Sequence, residues 1–204
     1  FAFGIPGTVG GAIYGNAGSF GGEMKDILVS ANVLFPDGVR ELSNSDFGFQ
    51  YRHSVLKEED RYGIVLDAVL RLKEGDPQAI DALHKERCHY RKEHQPLEQP
   101  SLGSVVKNVP VESFPKELWE KFDVEHHSAN GVVPAGYIND RLELRGMQIG
   151  QAQMSEKHGN FIVNLGSATA EHVLMLISAV KQKVRTQCAG LELKEEIQYL
   201  GFEP

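Results

Sequence analysis

The chain has 204 residues, 41% of them hydrophobic, and a formal net charge of −7. The length suits one large domain or two small ones. The negative charge argues against a nucleic-acid partner, and no apolar run is long enough to span a bilayer. The two cysteines stand far apart in no metal or redox spacing, which predicts free thiols in a reducing cytoplasm.

The first 22 residues, FAFGIPGTVGGAIYGNAGSFGG, contain eight of the 21 glycines. They match neither the Walker loop nor the dinucleotide fingerprint G-x-G-x-x-G. Two interpretations stay open on spacing alone. The segment is either a tight loop that uses positive φ angles or a loop that presents backbone N–H groups to a ligand. The apolar residues between the glycines favour a buried loop.

The pattern up to residue 94 is rich in predicted strands. Alternating apolar residues predict a strand at Ile27–Phe35, and a turn at 36–38 leads to a return strand at Val39–Leu42. A third strand is predicted at Gly63–Leu72. Asp76-Pro77 is typical of a helix start, and this helix should reach about Lys92.

A proline- and glycine-containing stretch, Gln95–Gly103, predicts a domain boundary. Beyond it, strands and helices alternate, which together with the strand-rich first part predicts an α+β fold with two lobes. The predicted strands are Ser104–Lys107, Met147–Met154, Phe161–Leu165 and Glu196–Leu200. The predicted helices are a short turn at Pro115–Phe122, one that begins at Pro134, and a long one capped by Thr169.

Six sequence blocks, in order, resemble the UDP-N-acetylenolpyruvoylglucosamine reductases, also called UDP-N-acetylmuramate dehydrogenases. These blocks are GIPGTVGGAIYGNAGSFG, YRHSVLK, QPLEQPSLGSVVKN, PAGYINDRLELRGMQIG, QMSEKHGNFIVN and GLELKEEIQYLG. The resemblance implies part of an FAD-binding domain of the vanillyl-alcohol-oxidase type at residues 1–94. It also implies an α+β substrate-binding domain at 95–204, whose last stretch, about 190–204, packs back on the active site.

Relatives have a further segment before the first block, with a second glycine-rich loop for the FAD pyrophosphate. The resemblance therefore predicts an N-terminally truncated fragment that binds FAD poorly or not at all by itself. The short spacing between YRHS and GSVVKN predicts the subtype without an extra tyrosine-bearing loop.

The family reaction moves a hydride from NADPH to FAD and then to an enolpyruvyl double bond. By resemblance, Arg52 polarises the substrate carboxylate, Ser104 donates the proton, and Glu196 completes the polarising site. Without that context, Arg52 would be a loop arginine, Ser104 a turn serine, and Glu196 part of a solvated charge run.

The resemblance also assigns binding residues. Asn108, Arg145 and His158 would contact the UDP-sugar, although for Arg145 and His158 a solvated charge is an equally good interpretation. No metal site is predicted, and the expected protein is a cytoplasmic monomer with no membrane partner. The residues assigned to the FAD wall are Gly4, Ile5, Pro6, Gly7, Val9, Gly10, Gly11, Asn16, Ala17 and Gly18.

Two other functions stay open. The chain could be a non-catalytic remnant that binds flavin or a nucleotide sugar, or a related flavin oxidoreductase with another substrate.

Overall fold

The computed structural model describes residues 1–58 and 62–201. The chain divides into two compact units, Phe1–Tyr90 and Arg91–Pro204. Each unit has its own hydrophobic core.

A three-stranded antiparallel sheet dominates the first unit. The chain runs through α1 (Val9–Tyr14), β1 (Gly18–Ser19), β2 (Gly22–Glu23), β3 (Leu28–Phe35), β4 (Gly38–Ser43), β5 (Ile64–Leu70) and α2 (Pro77–His94). The sheet order is β4-β3-β5, and β1 pairs only with β2 among the described residues. The predicted strands and turn of this unit are confirmed.

Helix α2 begins as its sequence predicts. The Asp76 carboxylate accepts hydrogen bonds from the N–H groups of Gln78 and Ala79, at 3.3 and 3.2 Å. It therefore satisfies donors that the first turn leaves unpaired. The helix ends at His94, and the division between the two units falls within it.

The glycine-rich segment differs from the buried loop that its apolar residues favour, because part of it is helical. Thr8 accepts a hydrogen bond from the N–H of Gly11 at 3.0 Å, and this cap starts the six-residue helix α1. Ile13, on this helix, is fully buried in the first core, but Val9 is 54% exposed. The Thr8 cap and the burial of Ile13 together offset the low helix propensity of the two glycines in this helix.

The second unit is a four-stranded antiparallel sheet with helices. Its strand order is β6-β11-β10-β9. The elements are β6 (Ser101–Ser104), β7 (Val109–Pro110), α3 (Val124–His127), β8 (Val132–Val133), α4 (Ala135–Arg141), β9 (Gln148–Ile149), β10 (Ala152–Met154), β11 (Phe161–Asn164) and α5 (Ala170–Gln187). Helix α5 packs against β9 and β10.

The long helix α5 matches its prediction. The Thr169 hydroxyl accepts from the N–H of His172 at 3.2 Å, as a cap should. Leu176, Ile177 and Val180 are buried in the second core, as helical spacing of the apolar residues requires.

Three predicted strands of the second unit differ from the structure. The strand placed at Ser104–Lys107 lies earlier, at β6. The strand placed at Met147–Met154 is the β9–β10 hairpin, because Gly150 adopts a φ of 56° and turns the chain back. The strand placed at Glu196–Leu200 is absent from the described residues, where only Glu195 forms an isolated bridge, to Val106.

No helix in the described part of the chain combines the length and the apolar character that crossing a membrane requires.

Candidate functional site

Each unit has an open cavity. The cavity in the second unit has a volume of about 380 Å³. The cavity in the first unit runs along the glycine-rich segment and has a volume of about 460 Å³. Among the residues assigned to the FAD wall, it is lined by Ile5, Pro6, Gly7, Val9, Gly11 and Ala17. Gly7 has a φ of 128°, and a Cβ added there would meet no atom within 4 Å. The backbone is therefore bare toward open space at this point, as a ligand wall requires.

Three residues assigned to the same wall face the protein instead. A Cβ on Gly10 would lie 3.4 Å from the Cβ of Val65. Asn16 is fully buried, and its amide nitrogen donates to Glu23 and to the carbonyl of Gln50, both at 3.0 Å. The geometry gives the Asn16 side chain a structural role in joining these segments.

The third of these residues, Gly18, holds Arg52. The Arg52 Nη2 donates to the Gly18 carbonyl at 2.8 Å. A Cβ on Gly18 would lie 2.7 Å from Cγ of Glu23 and 3.2 Å from Nη1 of Arg52, so only glycine fits without rearrangement. Gly18 thus supports the guanidinium by its carbonyl and by its lack of a side chain.

Arg52 itself has a left-handed backbone, with a φ of 54°. The Lys57 ammonium donates to the Arg52 carbonyl at 2.9 Å, and the guanidinium lies 5.0 Å from the centre of the Tyr51 ring. Non-glycine residues at positive φ cost energy and concentrate where surrounding structure over-determines them, which is frequent at functional sites. The YRHSVLK block therefore builds a supported, half-buried arginine.

Ser104 and Glu196 are brought together in the second unit. Ser104 is the last residue of β6 and pairs with Phe161 of β11. The next carbonyl, that of Val105, accepts from the N–H of Glu196 at 2.9 Å. Two residues 92 positions apart in the sequence thus lie on adjacent backbone segments, and both are half-buried.

Sequence reasoning missed Asn160, which holds the other side of this segment. It is 3% exposed, its Oδ1 accepts from the N–H of Val106 at 3.1 Å, and its Nδ2 donates to the Val106 carbonyl at 2.8 Å. Its own carbonyl accepts from the N–H of Val105. Its position inside the SEKHGNFIVN stretch, a part of a block that resembles the family, could have identified Asn160 from the sequence.

Asn108, assigned to the substrate, also has a structural contact. Its Oδ1 accepts from the N–H of Ala135, the first residue of α4, at 3.1 Å. The side chain therefore satisfies a donor that the helix start leaves unpaired.

Arg145 and His158 lie around a shared carboxylate, that of Asp140. Asp140 accepts from Arg145 Nε and Nη2 at 2.6 and 2.5 Å, and Arg145 Nη1 donates to the carbonyl of Glu156 at 3.0 Å. The guanidinium is therefore fixed in orientation by a two-pronged ion pair, and two of its five N–H bonds stay outside these contacts. Asp140 is a second residue that sequence reasoning missed.

The hydrogen bonds of His158 fix its tautomer. The N–H of Asn160 donates to Nδ1 at 3.1 Å, so a neutral ring carries its proton on Nε2. Burial lowers the pKa of His158 and outweighs the opposing effect of the Asp140 carboxylate. A neutral His158 therefore offers one N–H donor.

Comparison with known proteins gives the family. Residues 95–200 match the family model of the UDP-N-acetylenolpyruvoylglucosamine reductase C-terminal domain. A Bacillus pumilus protein named UDP-N-acetylenolpyruvoylglucosamine reductase is 40% identical over 204 residues, which are all of this chain and 60% of that protein. One of the same name from Bacillus licheniformis is 40% identical over 202 residues, which cover 98% of this chain and 97% of that one.

A solved structure has the same fold. The crystal structure of UDP-N-acetylenolpyruvylglucosamine reductase from Thermus caldophilus superposes with a TM-score of 0.72 at 33% identity and covers 96% of this chain and 61% of that one. The chain thus spans about 60% of the length of the Bacillus pumilus and Thermus caldophilus proteins. A family model that matches more than half of the residues, with relatives similar along nearly the whole chain, shows that the chain belongs to the UDP-N-acetylenolpyruvoylglucosamine reductase family.

Proposed function

We propose that the chain carries residues for the NADPH-dependent, FAD-mediated reduction of UDP-N-acetylglucosamine enolpyruvate to UDP-N-acetylmuramate. This is an oxidoreductase reaction of peptidoglycan synthesis, and thus of cell shape and division. The observation that carries the proposal is the hydrogen bond from the Glu196 N–H to the carbonyl of Val105, the residue that follows Ser104. The named relatives support the reaction class.

The residues of the first unit fit an FAD wall, and we assign this unit to an FAD-binding domain. Its 460 Å³ cavity is within the usual size of cofactor sites and is mostly apolar. Gly7 and Gly11 leave backbone bare along it, and Ile5 and Pro6 give it an apolar surface. When bound, FAD takes the hydride from NADPH and passes it to the substrate double bond.

Each proposed catalytic residue has one task. Arg52 binds the enolpyruvyl carboxylate with its planar fork and draws electron density toward it. Glu196 completes the polarising site. Ser104 supplies the proton from its hydroxyl to the carbon next to the carboxylate, opposite the face that receives the hydride.

The second unit would bind the UDP-sugar. Arg145, oriented by Asp140, presents its remaining N–H bonds to the diphosphate, and His158 donates from Nε2. Asn108 would contribute its amide nitrogen, since its oxygen is bound to Ala135. We place this activity in a monomer in the cytoplasm, where free thiols such as Cys88 and Cys188 persist.

The test measures the two half-reactions separately. The chain is purified with FAD, flavin reduction by NADPH is followed by absorbance, and the UDP-enolpyruvyl sugar is then added. In Ser104→Ala we expect flavin reduction to persist and sugar reduction to fall at least about a hundredfold, since general acid catalysis contributes that much. Ser101→Ala, in the same strand, is the matched control and should retain both steps.

If Ser104→Ala retains both steps, the assignment of Ser104 as the proton donor is overturned. A wild-type chain that binds the sugar and FAD but oxidises no NADPH would support the non-catalytic remnant. A chain that reduces FAD but never the sugar would support another flavin oxidoreductase.

A further inference from the structure

The carboxylate of Glu195 joins α5 to the last part of the chain. Glu195 Oε1 accepts from the Lys181 ammonium at 2.5 Å, and its Oε2 accepts from the Tyr199 hydroxyl at 2.5 Å. Lys181 comes from α5, while Tyr199 follows four residues after Glu195. A cavity of 380 Å³ lies between α5 and this segment and is lined by all three side chains.

Backbone contacts join the same segment to the stretch after β6. Glu195 bridges to Val106, the N–H of Lys107 donates to the Lys194 carbonyl at 2.8 Å, and the N–H of Glu196 donates to the Val105 carbonyl at 2.9 Å. No strand forms in residues 192–201 as described, so no longer ladder fixes the register here. The side-chain bonds of Glu195 add to the positioning of this segment.

The segment around Glu195 connects the second core to the neighbourhood of Ser104. Leu191 and Leu193 are both buried in the core of the second unit. The Glu195 carboxylate is bound to Lys181 of α5. Glu196 is the next residue, and its N–H is bound to the carbonyl of the residue that follows Ser104.

We propose that Lys181, Glu195 and Tyr199 form a clamp that fixes the position of Glu196 beside Ser104. These three are positioning residues, and their role in catalysis rests on the function proposed above. The clamp acts through the backbone that joins Glu195 to Glu196, so it has no need to touch the substrate.

The charges of the clamp support this role. Burial by itself raises the pKa of Glu195, but the hydrogen bonds from Lys181 and Tyr199 and the Lys181 charge lower it overall, so the carboxylate is ionised. Burial, and the bond to Glu195, raise the pKa of Tyr199 to about 12, so its hydroxyl keeps its proton. Charge-assisted bonds of this kind are stronger than neutral ones.

The chain supplies a matched control in the same cavity. Glu192 lies 3.9 Å from Arg185, with side chains 74% and 63% exposed. An exposed ion pair at that distance contributes little. Glu192→Gln changes the charge of the segment as Glu195→Gln does, without breaking the clamp.

The first measurement is amide hydrogen exchange in the purified chain, which needs no activity. In Glu195→Gln and Lys181→Met we expect the Glu196 amide to exchange about tenfold faster, equivalent to about 1.4 kcal/mol, with the Ile138 amide in α4 unchanged. Lys181→Arg should restore slow exchange, and Glu192→Gln should match the wild type. Unchanged exchange of Glu196 in both clamp variants would overturn the proposal.

The second measurement connects the clamp to the reaction. With FAD and NADPH, the clamp variants should lower kcat for sugar reduction about tenfold, with KM and flavin reduction by NADPH unchanged. A wild-type chain without sugar reduction refutes the proposed function and leaves the exchange result to decide the clamp. Faster Glu196 exchange with an unchanged kcat would refute the catalytic part of the proposal.

Discussion

The neighbouring glycines of α1 have different surroundings, although the sequence makes them look equivalent. Gly11 lines the 460 Å³ cavity, whereas Gly10 faces Val65 of strand β5. A Cβ on either one would make ordinary contacts, at 3.4 Å from Thr8 Oγ1 or from Val65 Cβ. Substitutions at the two positions therefore distinguish an effect on the stability of the helix from an effect on the cavity.

Replacing each glycine by alanine should show this separation. Gly11→Ala and Gly10→Ala should each raise the free energy of unfolding by up to about 1 kcal/mol, because glycine is a poor helix former. Only Gly11→Ala should weaken FAD binding, since its methyl group enters the cavity. Urea denaturation followed by circular dichroism and titration of FAD fluorescence measure the two effects. Equal FAD affinity in both variants would contradict the assignment of this cavity to the flavin.

His158 should make the second unit less stable in mild acid. Its pKa in the folded state lies below the ordinary value of 6.5, so the unfolded chain takes up a proton first as the pH falls. The stabilisation is therefore complete above pH 6.5 and decreases as the pH drops through and below that value. Fluorescence of Trp119, which packs against the second core, reports the urea unfolding of this unit.

The matching variant is His158→Gln. The difference in unfolding free energy between the wild type and His158→Gln should shift against the wild type between about pH 7.5 and about pH 5.5. A difference that is independent of pH would show that the ring titrates alike in the folded and unfolded chain.

At the scale of elements, the end of α4 carries unrelieved strain. The N–H of Leu144 donates to the Asn139 carbonyl and that of Glu143 to the Asp140 carbonyl, each at 3.0 Å. This pattern is a Schellman motif, in which the residue after the C-cap is usually glycine. Here that residue is Glu143, with a φ of 54°.

Glu143→Gly should therefore stabilise the second unit. The left-handed conformation costs a non-glycine residue roughly 1 to 2 kcal/mol, part of which is returned by the larger unfolded-state entropy of glycine. We expect a gain of about 1 kcal/mol in urea denaturation followed by Trp119 fluorescence. Glu143→Ala removes the same side chain without relieving the backbone and should show no such gain.

Elements with strong local signals are predictable from the sequence, and those that depend on distant partners are not. Apolar periodicity and the Thr169 cap sufficed for α5, and alternation sufficed for β3. The last segment has similar alternation but forms only a bridge at Glu195, because its partner, the stretch after β6, offers a single paired residue there. The β9–β10 turn depends on the left-handed conformation of Gly150, which apolar alternation does not indicate.

At the scale of the whole molecule, the residues assigned to FAD and to the UDP-sugar lie in different units. Every residue assigned to the FAD wall lies in Phe1–Tyr90, and every residue assigned to the UDP-sugar lies in Arg91–Pro204, whereas Arg52, assigned to the enolpyruvyl carboxylate, lies in the first unit. Resemblance supplied these residues, but no local pattern predicts that Glu196 bonds to Val105, next to Ser104, or that Asp140 holds Arg145, because both contacts arise from tertiary packing. Because the UDP-sugar is assigned to the second unit, we expect a nucleotide ligand to stabilise that unit.

UDP-sugar binding should stabilise the second unit directly. A ligand that binds only the folded state raises the free energy of unfolding by about 2.7 kcal/mol at a hundred times its Kd. We expect UDP to move the urea midpoint of Trp119 fluorescence upward and uridine, which lacks the diphosphate, to move it less. Arg145→Met should lose most of the shift with UDP, whereas Arg141→Met, which removes a cation from the last turn of α4, should retain it. An equal shift in both variants would mean that the diphosphate is bound elsewhere, and that the Asp140–Arg145 pair serves only to hold the fold.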